Sequence, residues 1–240
     1  MQNKSTVIVT GASSGIGLAL TKTFLAEGYS VVANSRKVKE AGTLTESPRL
    51  KLVSGDVADP ATARDLVATA VETFGGVDVL INNAGVFVAK AFHEYTDDDY
   101  RQLLGTNVSG FFHVTQQVVR QMRQQQRGHV LTITTSLVEQ PVAGVSAALT
   151  SLTKGGLNAV TKELAIEYAS DGIRFNAIAP GIVDTPMHRP EQHEWLAGLH
   201  PIRRLAEVDE IADAALYLVR AQFVTGEVLH VDGGAHAGKW

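Results

Sequence analysis

The segment Thr6-Val7-Ile8-Val9-Thr10-Gly11-Ala12-Ser13-Ser14-Gly15-Ile16-Gly17 decides the fold class of this chain. Its first five residues form an apolar, β-branched run that is typical of a buried strand. Three glycines follow with Gly-x-x-x-Gly-x-Gly spacing, and the residues from Ile16 to Gly28 have the period of a helix. Glycines in such a turn let the backbone approach a ligand closely, and they direct the helix N-terminal N–H groups at an anion. The segment therefore predicts a dinucleotide-binding unit, although glycines at this position can also serve packing alone.

The same alternation of short strands and longer helices continues along the chain. Further strands are predicted at 30–33, 50–54, 77–81, 129–134, 173–178 and 228–231. Further helices are predicted at 59–75, 97–123, 146–170 and 207–220. Strands that are separated by helices pair in parallel, because parallel neighbours need a crossover of about a dozen residues or more. The sequence thus predicts an α/β fold, with a doubly wound sheet of about seven parallel strands and helices on both faces.

The composition fits one globular domain over residues 1–240 and excludes several classes of protein. Hydrophobic residues make up 45% of the chain and charged residues 19%, which is too apolar for a disordered protein. A net charge of −4 supplies no basic surface for a nucleic acid or an anionic membrane. The absence of cysteine excludes disulfides, thiolate metal sites and thiol nucleophiles. No secretory signal precedes the first apolar run at Val7, which favours a cytoplasmic protein.

The end of the second predicted strand indicates which dinucleotide is preferred. Sites that prefer NAD usually place an acidic residue there, which bonds the ribose 2′-hydroxyl. This chain has Ala33-Asn34-Ser35-Arg36 and no acid at that point. The planar guanidinium of Arg36 suits a 2′-phosphate, which favours NADP, with NAD as the alternative. Arg36 can otherwise be a solvated cation of a surface loop.

Several motifs, in chain order, resemble those of the short-chain dehydrogenase/reductase family. They are Thr10–Gly17, Asp56-Val57, Asn82-Asn83-Ala84-Gly85, Asn107, Lys154-Gly155-Gly156-Leu157, Pro180–Thr185, Val224–Glu227 and Val231–Gly234. The resemblance implies a Rossmann-like fold and an oxidoreductase that moves a hydride between NADP(H) and a small carbonyl or alcohol substrate. It also implies the cofactor-binding residues, which are Gly11, Ser13, Ser14, Gly15, Ile16, Gly17, Ser35, Arg36, Asp56, Val57, Asn83, Ala84, Gly85, Lys154, Pro180, Gly181, Val183 and Thr185.

The catalytic tyrosine of this family is missing from the chain. Lys154 matches the active-site lysine, and Thr150 stands four residues earlier, where the family has the tyrosine. The resemblance implies Ser136 as the serine that polarises the substrate oxygen, with Thr135 as a fallback. It also implies Asn107 as a member of the proton relay. The predicted catalytic residues are therefore Asn107, Ser136, Thr150 and Lys154.

The apolar periodicity of the 97–123 helix gives independent information about Asn107. The predicted inner stripe of this helix consists of Tyr100, Leu103, Leu104, Val108, Phe111, Val118 and Met122. Asn107 lies on that stripe, four residues from both Leu103 and Phe111, so its amide is expected to face the interior. A buried amide must be hydrogen-bonded, and Asn107 is then either a relay residue or a satisfied core residue.

The replacement of tyrosine by Thr150 leaves two functions open. A nearby lysine lowers the pKa of a tyrosine from about 10 toward neutrality, whereas a threonine hydroxyl does not ionise usefully. One reading is a reductase with a substitute proton donor, either Lys154 or a water held by Thr150, Ser136 and Asn107. The other is a protein that binds NADP(H) in a sensor or regulatory role and has lost or changed its catalysis. A purely structural protein, by contrast, would bind neither nucleotide.

The segment 186–201 stands where this family carries a substrate lid. The residues expected to line the substrate pocket are His188, His193, Trp195 and His200 in the lid, with Val86-Phe87-Val88 and Phe92-His93 opposite. The three histidines lack the i, i+4 spacing of a helical ligand pair, so no metal site is predicted. The resemblance further implies a homo-oligomer, a dimer or tetramer, that is built through the 97–123 and 146–170 helices.

Overall fold

The computed structural model describes residues 5–238, and a sheet of seven parallel strands lies at its centre. The strands are Thr6–Thr10 (β1), Ser30–Ser35 (β2), Leu50–Ser54 (β3), Val79–Asn82 (β4), Gly128–Ile133 (β5), Ile173–Pro180 (β6) and Val228–Val231 (β7). Their order in space is β3-β2-β1-β4-β5-β6-β7. β1 is buried along its whole length, as its β-branched sequence requires for a strand that is covered on both faces.

Helices cover both faces of the sheet. They are Gly15–Ala26 (α1), Pro60–Phe74 (α2), Asp97–Leu103 (α3), Gly110–Gln125 (α4), Ala148–Glu167 (α5), His193–Ala197 (α6) and Val208–Arg220 (α7). Helices α1 and α7 pack on one face, and α2, α4 and α5 pack on the other. The predicted doubly wound α/β fold is therefore confirmed. Over residues 5–238, no helix is both long enough and apolar enough to cross a membrane.

Local sequence sets the limits of these elements. Helix α2 begins where the Asp59 carboxylate accepts a hydrogen bond from the Ala61 N–H, and it ends at Gly75 in the left-handed conformation. Two strands extend two residues beyond their predicted ends, since β2 continues to Ser35 and β6 to Pro180. Ser35 is paired with β3 and Pro180 with β7, so neighbouring strands support both extensions.

The predicted helix at 97–123 is interrupted by a π-helical segment, Leu104–Ser109, between α3 and α4. A π-helical turn takes up an additional residue, so the helix faces beyond it are rotated relative to an uninterrupted α-helix. The prediction that Val108 faces inward is wrong, because its side chain is 40% exposed. Tyr100, in the first turn of α3, is also exposed. The stripe residues that are buried as predicted are Leu103, Val118 and Met122.

The amino edge of the sheet, where the strands begin, is held together by polar side chains. Arg174 of β6 donates hydrogen bonds to four carbonyl oxygens at the end of α7 and just after it, those of Leu218, Val219, Ala221 and Val224. Nearby, the Asn176 amide donates to Nε2 of His129 at 3.0 Å. Burial lowers the pKa of His129 well below its usual range, which keeps the ring neutral and able to accept this bond.

Candidate active site

The carboxyl edge of the sheet surrounds a cavity of about 1120 Å³. Its walls come from the loops that follow β1, β2, β3, β4, β5 and β6, and the segment after β6 contributes part of one side. Pockets for drug-sized ligands measure roughly 300–1,000 Å³, so this cavity can hold a dinucleotide together with a small substrate. In open α/β sheets, ligands bind at this edge.

Every residue that the sequence assigns to cofactor binding lines this cavity. They are Gly11, Ser13, Ser14, Gly15, Ile16, Gly17, Ser35, Arg36, Asp56, Val57, Asn83, Ala84, Gly85, Lys154, Pro180, Gly181, Val183 and Thr185. Of the predicted catalytic residues, Ser136 and Lys154 line the cavity. Asn107 and Thr150 do not line it and lie behind its wall. The fold thus brings together residues that are far apart in the chain, from Gly11 to Thr185.

The glycine loop is built so that the backbone can meet an anion. A Cβ atom on Gly17 would lie 2.2 Å from the Gly11 carbonyl oxygen and 2.5 Å from Nδ2 of Asn83, so only glycine fits there. Gly11 itself has φ +67°, which favours glycine. The side chain of Ser14, the residue before α1, forms no capping hydrogen bond, in contrast to Asp59 before α2. The first-turn N–H groups of α1 are therefore available to a ligand, and they fit the diphosphate of a dinucleotide.

Thr10 and Asn83 hold this loop against the end of β4. The Thr10 hydroxyl accepts hydrogen bonds from the N–H groups of Asn83 and Ala84, both at 3.0 Å. In return, the Asn83 amide donates to the carbonyl oxygens of Thr10 and Gly11. These reciprocal bonds fix the floor of the cavity, where β1 and β4 lie side by side.

The loop after β2 carries two adjacent cations at the cavity. Arg36 and Lys37 both line the cavity with their side chains exposed, which suits the recognition of a phosphate group. Lys37 is not among the residues predicted from sequence, although its position directly after Arg36 indicates it. Asn34 was also not assigned; it lines the cavity and its Nδ2 donates to the carbonyl oxygens of Val53 and Gly55.

Lys154 extends from α5 to the cavity and ends at the carboxyl end of β5. Its Nζ donates a hydrogen bond to the Thr134 carbonyl oxygen at 3.0 Å. Burial lowers the pKa of Lys154 to about 8, because the charged ammonium loses its hydration. An amine with this pKa can both carry and release a proton near neutral pH. Lys154 is therefore a lining residue that can exchange a proton with a substrate.

Two hydroxyl groups lie at the end of β5. Ser136 is 4% exposed, whereas Thr135 is more accessible, and both line the cavity. The Thr135 hydroxyl accepts a long hydrogen bond of 3.4 Å from the Leu137 N–H and starts a short 3₁₀ turn. Either hydroxyl has the chemistry to bond a substrate oxygen, so Ser136 and its alternative Thr135 both stay predictions.

Asn107 and Thr150 have their hydrogen-bonding groups occupied by the loop after β4. Oδ1 of Asn107 accepts from the Val86 N–H at 2.9 Å, and its Nδ2 donates to the Val86 carbonyl and to the Thr153 hydroxyl. The Thr150 hydroxyl accepts from the Val88 N–H and donates to the Val88 carbonyl, both at 3.3 Å. Thr150 is fully buried. As expected from periodicity, the Asn107 amide faces the interior.

The segment after β6 carries His188, Trp195 and His200 to the cavity, whereas His193 is not among the lining residues. On the opposite side, Val86 and Phe87 line it, but Val88, Phe92 and His93 do not. His200 accepts a hydrogen bond from the Ile182 N–H at its Nε2, 2.9 Å away. Burial lowers the pKa of His200, which favours the neutral ring that this bond requires. His200 thereby connects this segment to the loop that follows β6.

Comparisons with known proteins agree with this arrangement. A family model described as Enoyl-(Acyl carrier protein) reductase matches residues 11–236. The chain is 38% identical over 239 residues to the Granaticin polyketide synthase putative ketoacyl reductase 2 of Streptomyces violaceoruber, with 95% of each chain covered. It is similar to the solved structure of a variant of actinorhodin polyketide ketoreductase with NADPH (32% identity, TM-score 0.88, 99% of each chain). It is also similar to a gluconate 5-dehydrogenase from Burkholderia cenocepacia in complex with NADP and tartrate (29% identity, TM-score 0.88, 98% of this chain and 96% of the other).

Proposed function

Because this chain belongs to the short-chain dehydrogenase/reductase family of oxidoreductases, we propose that it uses NADP(H) to interconvert a carbonyl compound and an alcohol, with Lys154 as the proton donor. The observation that carries the proposal is the Lys154 amine, which has a pKa of about 8 and lines the cavity together with the glycine loop. Lys154 takes over the proton transfer that a tyrosine performs elsewhere in the family.

The residues present fit NADP(H). The uncapped start of α1 would hold the diphosphate, and Arg36 with Lys37 would bond the 2′-phosphate. Thr185 packs close to Gly15, so the loop after β6 lies beside the start of α1 that would hold the diphosphate. The solved relatives that contain NADPH or NADP support the same choice. When bound, the nicotinamide supplies or accepts the hydride.

The hydrogen bonds of the site favour Lys154 over a water as the donor. A relay through a water held by Thr150, Ser136 and Asn107 needs accessible groups on all three side chains, whereas Thr150 and Asn107 are buried and bond Val88 and Val86. Lys154 remains, with Thr135 or Ser136 to bond the substrate oxygen. In reduction, Lys154 gives a proton to the oxygen as the carbonyl carbon gains a hydride. In oxidation, the neutral amine accepts that proton.

Cofactor preference is tested by titrating the purified protein with NADPH and NADH in a calorimeter. We expect NADPH to bind at least tenfold more tightly, a difference of about 1.4 kcal/mol. Arg36→Ala and Lys37→Ala should each narrow that difference and leave NADH affinity nearly unchanged. Equal affinities of the parent protein for the two nucleotides would contradict the assignment of the 2′-phosphate site.

A second function, nucleotide binding without turnover, is favoured by one observation. No tyrosine is found among the described residues that line the cavity, and the Thr150 hydroxyl is directed at Val88. A screen of carbonyl compounds with NADPH separates the two functions. Turnover that disappears in Lys154→Ala supports the reductase. Tight NADPH binding with no turnover on any compound supports a sensor or regulatory protein.

A further inference from the structure

Two buried side chains hold the loop after β4 at alternate residues. Asn107 bonds both the N–H and the carbonyl of Val86, and Thr150 bonds both the N–H and the carbonyl of Val88. The phenol of Tyr95 donates a further hydrogen bond to the Val88 carbonyl at 2.8 Å. Thr150 thus makes with Val88 the same pair of bonds that Asn107 makes with Val86.

The residue between the two held positions is Phe87, which lines the cavity and is half-buried. Because the backbone is fixed on both sides of it, Phe87 has little freedom to leave the cavity wall. Neither Val88 nor Thr150 lines the cavity. The Thr150 hydroxyl therefore acts on the cavity through the Val88 backbone, which lies between the lining residues Phe87 and Ala89.

Phe87 lies on a side of the cavity that carries many apolar residues. They include Val86, Phe87, Leu137, Val142, Val145, Met187, Trp195, Leu196 and Leu199, and the polar lining residues on the same loops include Thr135, Ser136, His188, Gln192 and His200. The carboxylates among the described lining residues, Glu40 and Asp56, lie on the loops after β2 and β3, at the other end of the cavity. Lys154 is the charged residue on the Phe87 side. The large apolar side chains suit the hydrocarbon body of a substrate better than a chain of hydroxyl groups, because burying hydroxyl groups against them costs free energy.

We propose that Thr150 is a positioning residue that holds Phe87 in the cavity wall through Val88, and that the site accepts ketones with an apolar body. This inference rests on the proposed function of the same cavity. The substrate oxygen would face Lys154 and the β5 hydroxyls, and its hydrocarbon body would contact Phe87. The residue in the tyrosine position then contributes to substrate binding rather than to proton transfer.

The experiment compares two classes of substrate on matched variants. Initial rates of NADPH oxidation are measured with cyclic and aryl ketones such as 1-tetralone, and with ketoses such as D-fructose. The variants are Thr150→Val, which removes the hydroxyl, Thr150→Ser, which keeps it, and Phe87→Ala. The control is Thr161→Val, since Thr161 is another buried threonine of α5 whose hydroxyl bonds only the Leu157 carbonyl. The NADPH affinity of each variant is measured in parallel.

We expect the parent protein to use the aryl ketones with at least a hundredfold higher kcat/KM than the ketoses. Thr150→Val and Phe87→Ala should raise the ketone KM at least tenfold, with the NADPH Kd within twofold of the parent value. Thr150→Ser should stay within threefold, and Thr161→Val within twofold. If the ketone KM of Thr150→Val and of Phe87→Ala equals that of the Thr161→Val control, the positioning role of Thr150 is overturned. Comparable use of ketoses would overturn the substrate class.

Failure of the proposed function is distinguishable from failure of this inference. If the parent protein binds NADPH without turnover, the Kd of 1-tetralone for the NADP⁺ complex replaces KM in the same comparison. If the parent binds no NADPH, the proposed function fails, and the ketone Kd is measured on the chain without nucleotide. A parent protein that binds none of the ketones in any of these forms would overturn the inference.

Discussion

At the scale of single residues, the chemistry of the cavity depends most on Lys154. Its side chain is partly buried, and its Nζ donates a hydrogen bond to the Thr134 carbonyl oxygen. This burial lowers the pKa to about 8, which places the titration of this amine inside the range of ordinary assays. Because this amine titrates near pH 8, the pH dependence of ketone reduction is expected to be opposite to that of alcohol oxidation.

Ketone reduction needs the protonated amine, so we expect kcat/KM for reduction to fall as pH rises above about 8. Alcohol oxidation needs the neutral amine, so its kcat/KM should rise toward a plateau above the same value. Rates measured in both directions from pH 6 to pH 10 check this expectation. In Lys154→Arg the guanidinium stays protonated, and the inflection should disappear. An inflection near 8 that persists in Lys154→Arg would assign it to another group.

Gly17 is the residue at which the smallest change should have a large effect. In Gly17→Ala the new methyl group would overlap the Gly11 carbonyl and the Asn83 amide. We expect a loss of about 1–3 kcal/mol in the free energy of unfolding and at least a tenfold loss of NADPH affinity. Urea denaturation and nucleotide titration measure the two effects. Gly105→Ala is the control, because its Cβ would meet only Ala58 at 4.0 Å; similar losses in both variants would contradict the expectation.

Motif spacing predicts single residues well where the backbone itself forms the site. The residues from Gly11 to Gly17 could be assigned from sequence because glycine spacing encodes the shape of the loop directly. Spacing also placed Lys154 in the cavity. It could not show that the Thr150 hydroxyl bonds Val88, since that contact joins residues 62 positions apart and depends on how the loop after β4 packs.

At the scale of elements, the π-helical segment Leu104–Ser109 is the feature that periodicity cannot predict. Apolar spacing assumes 3.6 residues per turn throughout, whereas a π turn contains an additional residue. Val108, which lies within this segment, is exposed, and Asn107 faces the loop after β4. The strands and the other long helices were found within a few residues of their predicted limits, because their apolar patterns have one uninterrupted period.

The π-helical segment should be sensitive to the loss of the Asn107 amide. Asn107→Ala leaves the N–H and the carbonyl of Val86 without their side-chain partner. We expect a cost of about 1–3 kcal/mol in the free energy of unfolding, because buried polar groups lose their hydrogen bonds. Urea denaturation measures this cost. Asn107→Asp keeps the acceptor for the Val86 N–H, and its protonated form can also donate to the Val86 carbonyl, so this variant should cost less than Asn107→Ala at low pH. An equal cost would mean that these two bonds contribute little.

At the scale of the whole molecule, apolar side chains are exposed on α4 and α5. Phe112 is 53% exposed, Leu152 65% and Ile166 80%. The two helices lie on the same face of the sheet, so these side chains are candidates for contacts between copies of the chain. The fold class explains why this face consists of helices. Its contacts with a second copy of the chain depend on the quaternary structure, which the fold class does not determine.

We expect the protein to form a dimer or a tetramer through this helical face. Light scattering coupled to size-exclusion chromatography measures the mass of the assembly. Leu152→Glu should lower that mass, because a carboxylate would lose its hydration in an apolar contact. Tyr217→Glu, on α7 at the opposite face of the sheet, is the matched control. A parent protein of monomer mass, or a Leu152→Glu variant of unchanged mass, would contradict the expectation.

Arg174 has a consequence for how such a chain can change over generations. Its guanidinium fastens the end of α7 to the first residues of β6, at the edge of the sheet farthest from the cavity. The groups that would react or bind, by contrast, bond mainly to the loops at the carboxyl edge. A substitution that removes a reactive side chain therefore leaves the hydrogen bonds of Arg174 at the amino edge intact. The fold therefore tolerates substitutions in the cavity, so that related chains can acquire other substrates and proton donors while they keep the same architecture.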